Sequence, residues 1–274
     1  MKQPLLPFYN TYRSTTENPK GNLVLLHGWG LHSIVWDHLM PSLLANFQVT
    51  VVDLPGMGNS PLPNVPYDLE FITEQVLAVA PEKAHVVGWS LGGLVALNMA
   101  QRAPERVLSV ATFNTSPKYT ADAQWKAAMA EEVLAKFAEV LAEDQEGTLI
   151  RFLALNCKGS ITMRQDVREL QQILYFCGLP NPRALAGGLE ILQTTDFRAV
   201  LPQLSMPILM MFGESDHIVP AAVMPEVAAL SEEVDVALLK GMAHVPFISD
   251  PNLSAQALYD FYTQHFGVSL PNEA

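Results

Sequence analysis

The sequence predicts an α/β protein: a mostly parallel central sheet flanked by helices, with a helical cap inserted into the core. Three observations carry that expectation. Short runs rich in Val, Leu and Ile alternate with helical patterns, as βα units require. Most of those runs end in Gly, His, Asp or Asn, at what would be the carboxyl edge of a parallel sheet, where ligand sites gather. The alternation then stops between about Ser116 and Gly188 and resumes near Met206-Pro207-Ile208.

In chain order the candidate strands are Leu23 to Leu26, Val49 to Val52, His85 to Gly88, Ser109 to Phe113, Ile208 to Phe212 and Val234 to Leu239. Each is a short apolar run bounded by turn residues. Ala121 to Leu141 and Thr162 to Phe176 read as helices with no strand between them. Residues 1–115 and 189–274 are therefore assigned to the core and 116–188 to a cap over the sheet edge. No repeat or low-complexity linker is present, and Ser269 to Ala274 reads as a frayed tail.

Composition narrows the function. A chain of 274 residues with 49% hydrophobic and only 16% charged residues buries a large core and is neither disordered nor fibrous. Sixteen Lys plus Arg against 28 Asp plus Glu give a net charge of −12, which repels phosphate backbones and argues against a nucleic-acid partner. The stretch Met1 to Gly21 lacks the apolar run of a signal peptide, and no run approaches the roughly 20 residues of a membrane span. Cys157 and Cys177 belong to no metal or disulfide pattern, which fits a reducing cytoplasm. Gly56-Met57-Gly58 lacks the third glycine of a dinucleotide loop, since Pro61 stands there. With no phosphate loop, no HExxH and no ligand-spaced cluster, neither cofactor nor metal is expected.

The chemistry is concentrated at Gly88-Trp89-Ser90-Leu91-Gly92-Gly93, between the run His85-Val86-Val87 and the helical Leu94 to Arg102. This is the pattern of a nucleophile elbow, a serine on a sharp strand-to-helix turn. Backbones pass close on both sides of such a turn, so positions 88 and 92 require glycine, and the following helix aims its amino-terminal dipole at the serine.

A serine hydroxyl needs a base, and in this architecture the acid and then the histidine follow it along the chain. Gly213 to Pro220 follows one strand and supplies Asp216; Lys240-Gly241-Met242-Ala243-His244 follows the next and supplies His244. Asp216 competes with Glu214, Asp196 and Asp250, and is favoured because Ile218-Val219-Pro220 would pin its loop. Of the later histidines, His217 neighbours the acid and points away from it, and His265 ends an amphipathic helix, so His244 is the candidate base. The oxyanion of a tetrahedral intermediate needs two backbone N–H groups. Leu91, directly after the serine, supplies one, and Trp29 in His27-Gly28-Trp29-Gly30 supplies the other; His27 itself reads as a structural loop residue. Trp89 either shapes the pocket floor or packs under the elbow.

These motifs, with Asp53-Leu54-Pro55-Gly56, resemble the α/β-hydrolase superfamily. A closer likeness runs from about residue 21 to 265. Leu23 to Leu31, Val52 to Gly56, Gly88 to Ala96, Arg151-Phe152-Leu153-Ala154-Leu155, Arg164-Gln165-Asp166, Gly187 to Leu192 and His244 to Ser249 are similar to the pimeloyl-[acyl-carrier protein] methyl ester esterases of biotin biosynthesis.

The resemblance implies hydrolysis of a methyl ester on a carrier-bound pimeloyl chain by Ser90, His244 and Asp216, with acyl-carrier protein as partner and a monomeric enzyme. It implies substrate contacts from Trp29, Ser90, Leu91, Phe152, Asn156 and His244, Phe152 being equally readable as plain cap core. It also implies carrier docking by Arg151, Arg164 and Arg168. Between Gly147 and Gly187, five cationic side chains stand against two anionic ones, a local positive face on an acidic protein. Gly147 departs from the resemblance where a further arginine is expected, and Asn156 where a glutamine is more usual. Two other readings stay open: a broad short-chain carboxylesterase, and a catalytically silent protein that keeps the fold.

Overall fold

A strand buried along its whole length must lie inside a sheet that is covered on both faces, and Ala84–Trp89 is buried at every residue. The computed structural model describes residues 5–270. Its strands are β1 (Tyr9–Tyr12), β2 (Gly21–Leu26), β3 (Phe47–Val52), β4 (Ala84–Trp89), β5 (Val107–Phe113), β6 (Ile208–Gly213) and β7 (Val234–Leu239). They form one sheet in the order β1-β3-β2-β4-β5-β6-β7. Every pairing is parallel except β1 with β3.

All six predicted strands are present, and four of them start one or two residues earlier than the apolar runs indicate. The sequence reading missed β1. Its residues, Tyr-Asn-Thr-Tyr, are exposed throughout, so this edge strand carries no alternation of buried and solvated positions.

The helices are α1 (Met40–Leu44), α2 (Leu69–Val79), α3 (Leu91–Arg102), α4 (Glu131–Glu143), α5 (Gln145–Cys157), α6 (Met163–Phe176), α7 (Pro182–Thr194), α8 (Met224–Ala228), α9 (Pro246–Ser249) and α10 (Pro251–Phe266). Leu91 through Ala100 of α3 are all buried, and all but Asn98 lack a polar side chain, so this stretch is buried around its circumference rather than on one face. Four helices, α4 to α7, separate β5 from β6 and make up the helical cap region. None of the helices described is long and apolar enough to cross a membrane.

Two expectations need correction. The predicted helix from Ala121 to Leu141 begins only at Glu131. Before it, Asp122 Oδ1 accepts from the Gln124 N–H at 2.8 Å, and buried Trp125 donates from Nε1 to the Lys118 carbonyl at 3.0 Å. These local bonds outcompete a helical ladder. The helix that contains residue 188 runs on to Thr194. The predicted frayed tail is tied down at its start: Asn46 Nδ2 donates to the Ser269 carbonyl at 2.9 Å, and Leu270 packs on the core. Residues 271–274 of that tail, and residues 1–4, lie outside the described residues.

Candidate active site

Ser90 sits on the turn between β4 and α3 with φ 53° and ψ −117°, a backbone conformation that costs a non-glycine residue energy and is held only by its surroundings. The glycines explain how it is held. A Cβ at position 88 would lie 2.3 Å from the Gly92 carbonyl oxygen, and one at position 92 would lie 2.3 Å from that of Leu26. Strand, turn and helix therefore close on each other with no room for side chains. Ser90 is buried and opens α3, so its hydroxyl meets the positive end of a largely buried helix.

Asp216 and His244 come from the turns after β6 and β7 and meet beneath the cap. Asp216 Oδ1 accepts the N–H groups of Ile218 at 2.7 Å and Val219 at 3.0 Å, and Oδ2 faces His244 Nδ1 at 2.6 Å. Both side chains are fully buried. With Nδ1–H donated to the carboxylate, Nε2 is the basic nitrogen; it too is buried and has no partner among the described residues. Trp89 fixes the base beside the elbow: its Nε1 donates to the His244 carbonyl at 2.8 Å, and its ring lies 5.7 Å from the imidazole. Of the two readings of Trp89, packing under the elbow is the one the geometry carries.

The competing residues are engaged elsewhere. Glu214 accepts from the Gly241 N–H, Asp196 pairs with Arg198, and Asp250 caps α10 through the Leu253 N–H. His265 pairs with Asp235, and His217 is exposed. His27 Nε2 accepts from the Leu54 N–H at 2.8 Å and Nδ1 bonds the Gly28 carbonyl, which ties the ends of β2 and β3 together. Burial lowers the His27 pKa to about 4, so it stays neutral in that structural role.

Leu91 is the first residue of α3, so its N–H is one of those a helix start leaves free for a ligand. Trp29 lies in the turn after β2, and its indole Nε1 donates to the Leu185 carbonyl on α7 at 2.8 Å. Gly188 on α7 makes that approach possible, since a Cβ there would lie 2.7 Å from Trp29 Cδ1 and 3.3 Å from Leu91 Cδ2. Phe152 on α5 packs edge-on to Trp29 at 5.0 Å. Phe137 on α4, which the sequence reading did not single out, joins both rings at 5.5 and 5.6 Å. Its only sequence signal was the apolar spacing of α4.

Asn156 donates from Nδ2 to the Phe152 carbonyl, leaves Oδ1 buried without a partner among the described residues, and accepts the His244 N–H on its own carbonyl at 2.9 Å. The cap also carries the three arginines. Arg151 is exposed and reaches Asp144 at 3.3 Å. Asp144 also caps α5 by accepting the Gly147 N–H, and a Cβ on Gly147 would lie 2.1 Å from its Oδ2, so a side chain there would shift the capping carboxylate. Arg164 and Arg168 line an open groove of about 1030 Å³ with His38, Ile161, Met163 and Glu169, and neither makes an ion pair among the described residues.

One further residue was missed. Tyr119, buried in the segment leading into the cap, donates its hydroxyl hydrogen to Ser90 Oγ at 3.5 Å. No motif marks it, because its contact is made across a loop.

A serine hydroxyl at a helix start, a buried imidazole with one nitrogen committed to a carboxylate, and a free N–H beside the serine are together equipped for acyl transfer. The model of the alpha/beta hydrolase fold matches residues 21–251. The chain is 42% identical over 247 residues to a pimeloyl-[acyl-carrier protein] methyl ester esterase of Sodalis glossinidius, covering 90% of this chain and 95% of that one. It is 43% identical over 242 residues to the protein of the same name from Edwardsiella ictaluri, covering 88% and 93%. Among solved structures, a hydrolase from Pseudomonas aeruginosa superposes with a TM-score of 0.73 at 28% identity, covering 92% of each chain.

Proposed function

Because the chain belongs to the alpha/beta hydrolase fold family and, within it, to the pimeloyl-[acyl-carrier protein] methyl ester esterases, we propose that it hydrolyses the methyl ester of a carrier-bound pimeloyl chain. The products are methanol and pimeloyl-[acyl-carrier protein], a step of biotin biosynthesis carried out in the cytoplasm by a monomer. The observation that carries the reading is Ser90 on its strained elbow beside the buried His244–Asp216 pair.

Ser90 Oγ attacks the ester carbonyl as His244 Nε2 takes its proton. Asp216 holds the imidazole in the tautomer this requires and stabilises the imidazolium. The N–H groups of Trp29 and Leu91 receive the oxyanion. His244 returns the proton to the departing methoxide, and water then releases the acyl group from Ser90 by the same route.

The division into a core of residues 1–115 and 189–274 and a cap of 116–188 fits this role, with α7 straddling the second boundary. Trp29, Phe152, Asn156 and Phe137 would line the acyl chain's approach. Arg164 and Arg168, free of ion pairs among the described residues, and the exposed Arg151 would meet the acidic carrier. A local positive face overcomes a net charge of −12 because screening at physiological salt confines attraction and repulsion to roughly 8 Å.

The experiment is methanol release from the carrier-linked methyl ester by the protein and by Ser90→Ala, set against a free short-chain methyl ester, at low and high salt. Ser90-dependent, salt-weakened preference for the carrier substrate is the expected result. Equal turnover of free esters, indifferent to salt, would make the protein a general carboxylesterase.

A further inference from the structure

We propose that Tyr119 is a catalytic residue of the second half-reaction, its hydroxyl hydrogen-bonding Ser90 Oγ as that oxygen leaves the acyl group. The proposal rests on Ser90 being the nucleophile, as read above, and not on the identity of the acyl chain.

The accounting of one oxygen motivates it. Ser90 Oγ has one hydrogen and two lone pairs. Tyr119 O–H occupies one lone pair at 3.5 Å. Attack on a carbonyl uses the other. The hydrogen is left for His244 Nε2, which is buried and has no partner among the described residues. Tyr119 thus takes the one lone pair that neither the base nor the substrate needs.

The phenol is built to stay there. Burial holds its pKa above the ordinary tyrosine range, so it remains a donor throughout the working pH range. Its segment is pinned on both sides: the Met129 N–H donates to the Tyr119 carbonyl, the Phe197 N–H donates to the Pro117 carbonyl, and Trp125 bonds the Lys118 carbonyl. Lys118 adds ion-pair contacts to Asp122 and Asp196.

The second half-reaction gains more from such a donor than the first. Before acylation, Oγ is a free hydroxyl that already accepts the Tyr119 hydrogen, so the transition state gains only the increment over that bond. In the acyl-enzyme, Oγ is an ester oxygen, a weak acceptor. Water attacks the acyl carbonyl and gives its proton to His244; the C–Oγ bond then breaks, and the His244 imidazolium delivers that proton to Oγ. As the bond breaks Oγ gathers negative charge, and the Tyr119 hydrogen bond strengthens without transferring its own proton.

The test is steady-state and stopped-flow turnover of a short-chain p-nitrophenyl ester by wild type, Tyr119→Phe and Ser90→Ala. The good leaving group makes acylation the fast half. Tyr119→Phe is expected to lower kcat by roughly tenfold and KM with it, kcat/KM falling by a smaller factor and a full burst of nitrophenolate being retained, since a hydrogen bond to a charged atom is worth about that factor. Thermal unfolding of Tyr119→Phe checks that the fold is kept, and Tyr119→Leu, which lacks the ring, separates packing from the hydroxyl. A fall in kcat at unchanged KM, an unchanged kcat, or an effect of Tyr119→Leu on kcat/KM alone would overturn the proposal. Turnover surviving in Ser90→Ala would overturn the serine mechanism itself and the role of Tyr119 with it.

Discussion

The backbone N–H of His244 donates to the carbonyl of Asn156 at 2.9 Å, so the loop bearing the base of the candidate triad hangs from a helix of the cap. A second link runs beside it. Buried Asp166 on α6 accepts hydroxyl hydrogens at Oδ2 from Ser160, Thr162 and Ser249, and Ser249 ends the short helix that follows His244. The cap is thus part of the frame that sets the imidazole.

Asp166→Ala should therefore act on both stability and turnover. It removes the acceptor that three hydroxyls share, of which Ser160 is buried and Thr162 and Ser249 are half-buried, a loss of about 1–3 kcal/mol. Urea unfolding and turnover of a free ester check it; an active variant with wild-type stability would show that the link carries no weight.

Asn114 ties the two loops of the acid and base from the core side. Its Oδ1 accepts the Gly213 N–H at 2.6 Å and its Nδ2 donates to the Ala243 carbonyl at 2.8 Å, from a residue at φ 49°. Asn114→Ala leaves both partners buried and unpaired, and is expected to cost about 2–4 kcal/mol and to lower kcat more than it raises KM. Kinetics on a small ester together with a melting curve read both.

Gly92→Ala should be worse than either. The new methyl would meet backbone, the Leu26 carbonyl oxygen 2.3 Å away, and backbone cannot swing aside as a side chain can. We expect little soluble protein, and in any that folds, failure of a fluorophosphonate to label Ser90.

Acid should destabilise the protein through two histidines buried neutral. Burial lowers the pKa of His27 and of His85 to about 4. In the unfolded chain each titrates near 6.5, so the unfolded state takes up protons first as pH falls. Their contribution is complete above pH ~6.5 and is lost progressively down to pH ~4, by up to about 3 kcal/mol for each. His85→Gln should flatten the acid limb of a plot of urea midpoint against pH; an unchanged slope would remove His85 from the account.

Arg164→Glu with Arg168→Glu should raise KM for the carrier-linked ester at least severalfold and weaken its dependence on salt, while a free short-chain ester is turned over as before. Steady-state kinetics at two ionic strengths distinguish this from a general loss of activity.

The sequence by itself determined the sheet and marked the candidate residues at its edge. Six parallel strands were legible because buried strands are continuous apolar runs, and Ser90, Asp216 and His244 because each stands just past such a run. The edge strand Tyr9–Tyr12 left no trace in the pattern, since hydrogen bonds to Val49–Val52 hold it and not burial. The start of α4 was misread because Asp122 and Trp125 make bonds that periodicity cannot register. Tyr119 against Ser90, Phe137 against Trp29, Asn114 between Gly213 and Ala243, and Asn156 against His244 were decided only by tertiary structure. Each joins residues far apart in the chain, and local patterning records which face a residue turns inward but not which partner it meets there.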